Sequence, residues 1–511
     1  MGTTPQFFDT GLHSWSNWHQ TFTQSLDDVF ELQNADTGDV ATDYNAMTTA
    51  LQQFLSKAIS NQKRIRALGG GWSFTKVAVT EGWLLDTKQL NMVSLISSKS
   101  VDSNYMGDSN QLLFAQCGNS VFELNHLLRQ MGRSLKTSGA SNGQTIVGAF
   151  STCTHGASID FGSTPAFVVG LHIIVSPQQH FWLERASYPV ASDSFVQNLG
   201  AQLIRDDELF NSALVSFGSF GFTHGVMIET EPLFLLESYR RLVPFSDVER
   251  IMDTLDFSGV NFLAHTGERP FHFQVVMNPY DMTRGAYVIF MYKRPFRTDY
   301  PPFSKDPDKA GPGDDAAMVL ARITDILPGT TPLVVNQIMK TSYAPYEQAW
   351  GTLGEIFTTT GLRGKLASAA MAIPASFSTR MNQLLLNMNQ RSGPFAGVFS
   401  YRYVKGTKAT LGFTCFDQTC VVELDAVDSQ HTRTFYQEVW AEMDRQQIPY
   451  TLHWGKMHNL DAAKMNSLYG ERVNRWIRSR NELLGSSLAM FNNDLLKDLG
   501  LDITLPALKP A

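Results

Sequence analysis

Three consecutive glycines, Gly69, Gly70 and Gly71, run directly into Trp72, Ser73 and Phe74 after a short apolar strand at 64–68. Residues without a Cβ let successive backbone N–H groups close on an anion, and Ser73 adds a hydroxyl, so the segment reads as a cradle for the pyrophosphate of a dinucleotide. A tight turn between two strands is the competing use. A second segment, Ser151-Thr-Cys-Thr-His-Gly-Ala-Ser158, lies just after Gly148 and could add small-residue and hydroxyl contacts from Gly148, Thr152, His155 and Gly156. His155 taken alone reads as a histidine bonded to backbone, and Cys153 as a buried free thiol.

Charged candidates lie far downstream. Lys456 sits in the aromatic-rich run Tyr450-Thr-Leu-His-Trp-Gly-Lys-Met-His458, beside His453, which could serve only to brace the loop. In Phe399-Ser-Tyr-Arg402, strand alternation puts Ser400 and Arg402 on one face. Glu423 stands alone amid Val421, Val422 and Leu424. Such a carboxylate either faces solvent or is paired when buried, and exposure is the expected state. Facing a site together with Arg402, it could act as a general base or hold a cationic group.

These residues need elements to place them. Met47, Leu51, Phe54, Leu55, Ala58 and Ile59 recur at helical spacing over Tyr44–Gln62, which predicts a helix feeding the glycine strand. Strands are predicted at Gly82–Thr87, Leu112–Cys117, Phe167–Ser176 and Gly225–Leu236, and a helix over Ser120–Met131 with Ser120 as N-cap and Gly132 as stop. Alternating segments at Phe271–Met277, Ala286–Tyr292, Gly397–Val404 and Thr419–Leu424 predict a second sheet, with helices at Ala316–Ile326 and Thr432–Arg445. The Pro-, Gly-, Asp- and Lys-rich stretch Arg297–Asp315 reads as a surface excursion.

Composition narrows the class. A chain of 511 residues is long for one core and suggests two domains. With 41 basic and 48 acidic residues interspersed, net charge −7, there is no nucleic-acid footprint. No apolar run of about 18 residues suggests a membrane partner. The start of the chain lacks a basic, apolar leader, and four scattered cysteines lack metal-site spacing, so a reducing, cytoplasmic setting is expected. No Gly-x-Gly-x-x-Gly follows a strand, which disfavours a nicotinamide site.

The glycine segment resembles the first FAD motif of the vanillyl-alcohol-oxidase-type (PCMH) flavoproteins, in the aldonolactone and alditol oxidase-like branch. Four more segments carry the same resemblance, in order: Trp15-Ser-Asn-Trp18, Ser151–Ser158 with Cys153 in place of a glycine, the glycine-rich turn and strand Gly218–Glu231 that contains Gly225 and Val226, and His453-Trp-Gly-Lys456. The resemblance implies an α+β, two-domain flavoprotein. Residues 1–237 form a PCMH-type FAD-binding domain, 238–446 an antiparallel-sheet cap, and 447–511 a segment returning to the FAD domain. It further implies that a hydride from a small organic substrate reaches flavin N5, that Lys456 lies beside flavin and substrate, and that oxygen or another acceptor reoxidises the cofactor. Gly139, Ala140 and Ser141 are similar to the loop that meets the flavin ring. In the branch the position of Trp72 is commonly a histidine bonded covalently to the flavin; an indole cannot form that bond, so FAD held non-covalently is expected.

The chain also departs from the branch. Its relatives carry Glu-x-Arg where this sequence has Ser400 and Arg402, and Glu423 falls where an alditol oxidase has a histidine. Those replacements suggest a substrate other than a simple sugar alcohol, conceivably a natural-product intermediate, with an aldonolactone or alditol as the alternative. The 34 Phe and 19 Met would suit an apolar substrate cavity. Two rivals stand beside this reading. Gly139-Ala-Ser-Asn-Gly143 satisfies the nucleophile elbow of a serine hydrolase, with Ser141 as nucleophile, although the polar stretch before it makes a poor buried strand. A catalytically silent flavin-binding protein is the other.

Overall fold

The computed structural model describes residues 4–304, 309–314, 328–359 and 366–506. The helix expected at Ala316–Ile326 lies outside the described residues. The N-terminal part is built on two sheets. In the first, Asp28–Gln33, Trp83–Asp86 and Ile65–Leu68 run parallel side by side, and Gln6–Asp9 adds an antiparallel edge. Between Asp28–Gln33 and Ile65–Leu68 in the chain, the helix Val40–Ser60 crosses over, as parallel pairing demands. Asp39 caps it by accepting from Thr42 N at 2.7 Å, and Met47, Leu51, Phe54, Leu55 and Ala58 form its buried stripe. The second sheet has six strands, with Phe222–Glu229 between Val168–Ile174 and Leu112–Gln116. Ser120 and Glu123 form a reciprocal capping box on Val121–Gln130, and Gly132 ends that helix at φ +69°.

The second half of the chain forms an eight-stranded antiparallel sheet. Its spatial order is Tyr346–Thr352, Phe234–Val243, Ala286–Pro295, His272–Met277, Gly397–Lys405, Gln418–Val427, Leu366–Pro374 and Thr451–Leu452. The last strand brings the Lys456 segment onto the strand Leu366–Pro374: His453 N donates to Ala370 O at 3.1 Å and Met457 N to Ser368 O at 2.8 Å. The chain then enters the helix Glu471–Leu484, whose Trp476 indole donates to Val215 O.

Two expectations need correction. A single strand over Gly225–Leu236 is not formed; one strand ends at Glu229 and another starts at Phe234, because Glu231–Pro232 turns aside to pair with Arg133–Ser134. The described part of Arg297–Asp315 is not all surface: Ala310, Pro312 and Gly313 are buried, and the buried Arg240 guanidinium donates to the carbonyls of Ala310 and Gly311. Carbonyl-rich turns suit a desolvated guanidinium with many donors to satisfy.

Candidate active site

Two adjoining cavities, of about 900 and 800 Å³, share Trp72, Ser73, Gln144 and Thr152 as common wall. The first is lined by Gly69, Gly70, Gly71 and Gly148, by Gly218 and Gly221 from the turn before the strand Phe222–Glu229, and by Thr223 at the start of that strand. The second is lined by Phe74, Gly139, Ala140, Ser141 and His155 on one side and by Arg402, Glu423, Asp425, His453 and Lys456 on the other.

The glycine loop is held from beneath by the Trp15–Trp18 segment. Trp18 N donates to Gly71 O at 2.8 Å, Asn17 Nδ2 to Ser73 O at 3.1 Å, and the Trp18 ring stacks on Trp72 at 5.5 Å. Gly71 sits at φ +70° with its Cα against Trp15: a Cβ there would lie 2.8 Å from the indole. A Cβ on Gly70 would collide with Gly143 O. Thus the loop is closed by backbone approaches that only glycine permits. From the other side, Phe74 N donates to Gly455 O at 2.8 Å and Thr75 Oγ1 to Trp454 O at 2.7 Å, which ties the loop to the Lys456 segment.

The charged residues come from the eight-stranded sheet. Antiparallel register places Ser400 opposite Glu423, Arg402 opposite Val421, and Ser368 opposite Asp425, so all these side chains occupy one face. Arg402 Nε lies 2.9 Å from Glu423 Oε2, Lys456 Nζ 4.0 Å from Glu423 Oε1 and 3.6 Å from Asp425 Oδ1, and His155 Nε2 3.8 Å from Glu423 Oε1. Glu423 is therefore buried, at 3% exposure, and not solvent-facing. The expectation failed because the guanidinium that satisfies it comes from another strand. Burial alone would push the Glu423 carboxyl up; the positive charges of Arg402 and Lys456 hold it below its ordinary value. Asp425 is pushed up, first by burial, with Lys456 opposing. Burial drives both site histidines down, His155 to about 4 and His453 well below the ordinary imidazole value, so each is a neutral imidazole at pH 7. His155 Nδ1 meets Gly156 O at 3.0 Å, the backbone bond expected of it, and the His453 and Phe413 rings pack against it.

Several sequence candidates lie elsewhere. Ser400 does not line the cavity; it sits behind Arg402, accepting from Gln274 Nε2 at 2.9 Å. Gly156 is not a cavity residue but a close-packing one, whose Cβ would meet Thr137 Oγ1 at 2.9 Å. Gly225 and Val226 also fall outside both cavities: Gly225 makes room for the Tyr44 and Phe114 rings, and Val226 is core. It is Gly218, Gly221 and Thr223, just before them, that reach the site. Cys153 is a wholly buried free thiol at φ +60°, 3.1 Å from Ser163 Oγ, in the left-handed conformation that glycine takes more readily. Among the described residues Ser141 follows no buried strand, and it forms an isolated bridge with Thr359. Residues the sequence did not single out include Asp425, Gln144, Thr154 and His19. Asp425 was within reach of the alternation argument, two residues beyond Glu423; His19 had no signal, since it arrives by stacking on Phe74 at 4.3 Å.

A sequence profile described as "FAD binding domain" matches residues 46–178, and one described as "D-arabinono-1,4-lactone oxidase" matches residues 309–498. The chain belongs to the PCMH-type FAD-binding flavoproteins, in the aldonolactone oxidase-like branch. The chain is an FAD-dependent oxidoreductase. The L-gulono-1,4-lactone dehydrogenase of Mycobacterium tuberculosis is 23% identical over 447 residues, covering 84% of this flavoprotein and 88% of that relative. The D-arabinono-1,4-lactone oxidase of Candida glabrata is 23% identical over 203 residues, 40% of this flavoprotein; the match spans about a third, 34%, of the yeast protein. Among solved structures, cholesterol oxidase from Brevibacterium sterolicum superposes with a TM-score of 0.68 at 14% identity, covering 97% of each chain. A solvent-stable cholesterol oxidase does so at 0.66 and 14%, covering 97% of this chain and 98% of that one. At that identity the likeness is one of fold.

The flavoprotein's cavities fit FAD on their own geometry. The run of small residues at 69–71, whose positions a Cβ would fill, leaves backbone N–H groups for a pyrophosphate. The common wall at Trp72 and Thr152 opens the glycine cavity to the charged one, where Lys456 and Arg402 supply positive charge. All but one of the wall and loop residues Gly69–Phe74 reach the first cavity, and Phe74 lines the second. Among the described residues no group of His, Cys, Asp and Glu could hold a metal ion, and no helix is long and apolar enough to cross a membrane.

Proposed function

We propose that this flavoprotein oxidises a small hydroxylated lactone of the aldonate type, passing the electrons on to oxygen or another acceptor. The observation that carries the reading is the buried Glu423–Arg402 pair beside Lys456, in a cavity open to the glycine cradle. Bound FAD supplies the two-electron acceptor. Gly69–Gly71 and Ser73 would hold its phosphates, and Trp72, Gly139 and Ala140 would flank its ring. Lys456, which lines the second cavity, would place a positive charge near the ring and stabilise the negative charge that reduction leaves on it. Arg402 orients a substrate oxygen, and Glu423, ionised at neutral pH by its cationic neighbours, takes the hydroxyl proton.

A substrate other than a simple sugar alcohol was expected from two replacements, Ser400 for an acid and Glu423 for a histidine. Glu423 gives the same guanidinium a carboxylate, which removes the first ground, and relatives named for lactones support the lactone reading. The cavity is also less apolar than the Phe and Met content suggests: among the described residues no methionine lines it, and Phe74 is its one phenylalanine. We also read FAD as non-covalent: Trp72 offers no nucleophile, Cys153 lies outside both cavities, and His155, the other attachment point the sequence offers, lines the second cavity with Nδ1 on Gly156 O and Nε2 turned to Glu423. The division into 1–237, 238–446 and 447–511, and a cytoplasmic setting for four free cysteines, belong to the same reading.

The test is anaerobic bleaching of the FAD-loaded protein by a panel of aldono-1,4-lactones, alditols and apolar secondary alcohols. Rapid bleaching by lactones is expected; bleaching by apolar alcohols alone would reject the substrate class, and a protein that takes up no FAD would reject the whole reading.

A further inference from the structure

Lys456 is held by more than its own loop. Its Nζ donates to Ser368 Oγ at 2.6 Å, and Ser368 Oγ in turn donates to Asp425 Oδ1. Ser368 and Asp425 are register partners across adjacent antiparallel strands, which fixes both on the cavity face without help from loops. The backbone is fastened at the same place, because Met457 N donates to Ser368 O at 2.8 Å. Ser368 is wholly buried and Asp425 is 5% exposed, whereas the Lys456 side chain keeps 23% exposure toward the cavity. The ammonium thus has one neutral tether and two carboxylates nearby, Glu423 at 4.0 Å, which is already paired with Arg402, and Asp425 at 3.6 Å, bridged to it by the Ser368 hydroxyl.

We propose that Ser368 and Asp425 are positioning residues that set, by tether and counter-charge respectively, how much of the Lys456 charge is felt at the flavin ring. The proposal rests on the FAD reading above. Its content is that the two residues act in opposite senses. Without the Ser368 hydroxyl the ammonium can close on Asp425, and its field in the cavity falls. Without the Asp425 charge, but with an amide oxygen still able to accept from Ser368, the ammonium stays in place and its field rises.

The experiment measures the two-electron midpoint potential of bound FAD in the holoprotein by dye equilibration, with no substrate present. Ser368→Ala should lower it and Asp425→Asn should raise it, each by about a tenfold change in the reduction equilibrium, or about 30 mV. Ser368→Thr, which keeps the hydroxyl, should stay at the wild-type value. A general structural role would not move the two variants in opposite directions. Potentials within a few millivolts of wild type in both, or shifts of the same sign, would overturn the proposal. Should Asp425→Asn not accumulate as folded holoprotein, the serine pair decides: a lowered potential in Ala but not Thr supports the tether, and equal potentials reject it. A wild type that binds no FAD would instead be the failure of the cofactor reading, and is seen before any variant is compared.

Discussion

Ser400 and Glu423 face each other across an antiparallel strand pair, and the carboxylate of that pair stands on the second strand, 2.9 Å from Arg402 Nε. The acid that the family resemblance places two residues before the arginine is absent at Ser400, and Arg402 finds a carboxylate one strand over instead. The guanidinium thus has an acid partner on its own sheet face.

The pair should be costly to break and repairable in place. Glu423→Gln leaves a buried guanidinium without its counter-charge, a loss of about 3–5 kcal/mol for pairs of this kind, read from denaturant unfolding. Ser400→Glu combined with Glu423→Ser should recover at least half of that loss. No recovery would mean that the strand position, not the charge, is what matters.

Lys456→Met should slow anaerobic flavin reduction by about 10²–10³-fold while changing FAD affinity far less, as expected for a charge used where negative charge develops. Stopped-flow absorbance gives the rate and titration the affinity. An unchanged rate would remove Lys456 from the chemistry.

Acid should destabilise the fold through its buried histidines. His224 is pushed down to about 3 and His155 to about 4, each first by burial, against an unfolded value near 6.5. Protonation therefore favours the unfolded chain. The contribution is whole above about pH 6.5 and is lost as pH falls from there toward about 3, at up to about 1.4 kcal/mol per histidine per pH unit. Urea midpoints at pH 7.5 and 5.5 check the sign, and a higher midpoint at the lower pH would contradict it.

Gly70→Ala should lower FAD affinity by at least about tenfold, because its Cβ falls on Gly143 O, a backbone atom that can move only by opening the loop. Fluorescence titration of the apoprotein with FAD measures this.

Acid precipitation of the wild type should release all flavin into the supernatant, since Trp72 occupies the wall between the cavities without a group able to attach to it. Flavin retained in the pellet would locate a covalent bond at another residue.

Local chemistry written along the chain was legible without coordinates. The glycine loop, the Ser120 cap and Gly132 stop, the helix stripe from Met47 to Ala58 and the alternation that aligns Ser400 with Arg402 are short-range patterns, fixed by backbone sterics and by periods of 3.6 and 2. The tertiary structure decided what depends on register between distant strands. It buried Glu423 by bringing Arg402 and Lys456 to it, set Asp425 beside Ser368 across adjacent strands, brought His19, Gly218, Gly221 and Thr223 to the cavities, and turned Gly156, Gly225 and Val226 to packing. A one-residue slip in any of those pairings would put the same side chains on the opposite face, and no single strand's own sequence specifies its neighbour's register.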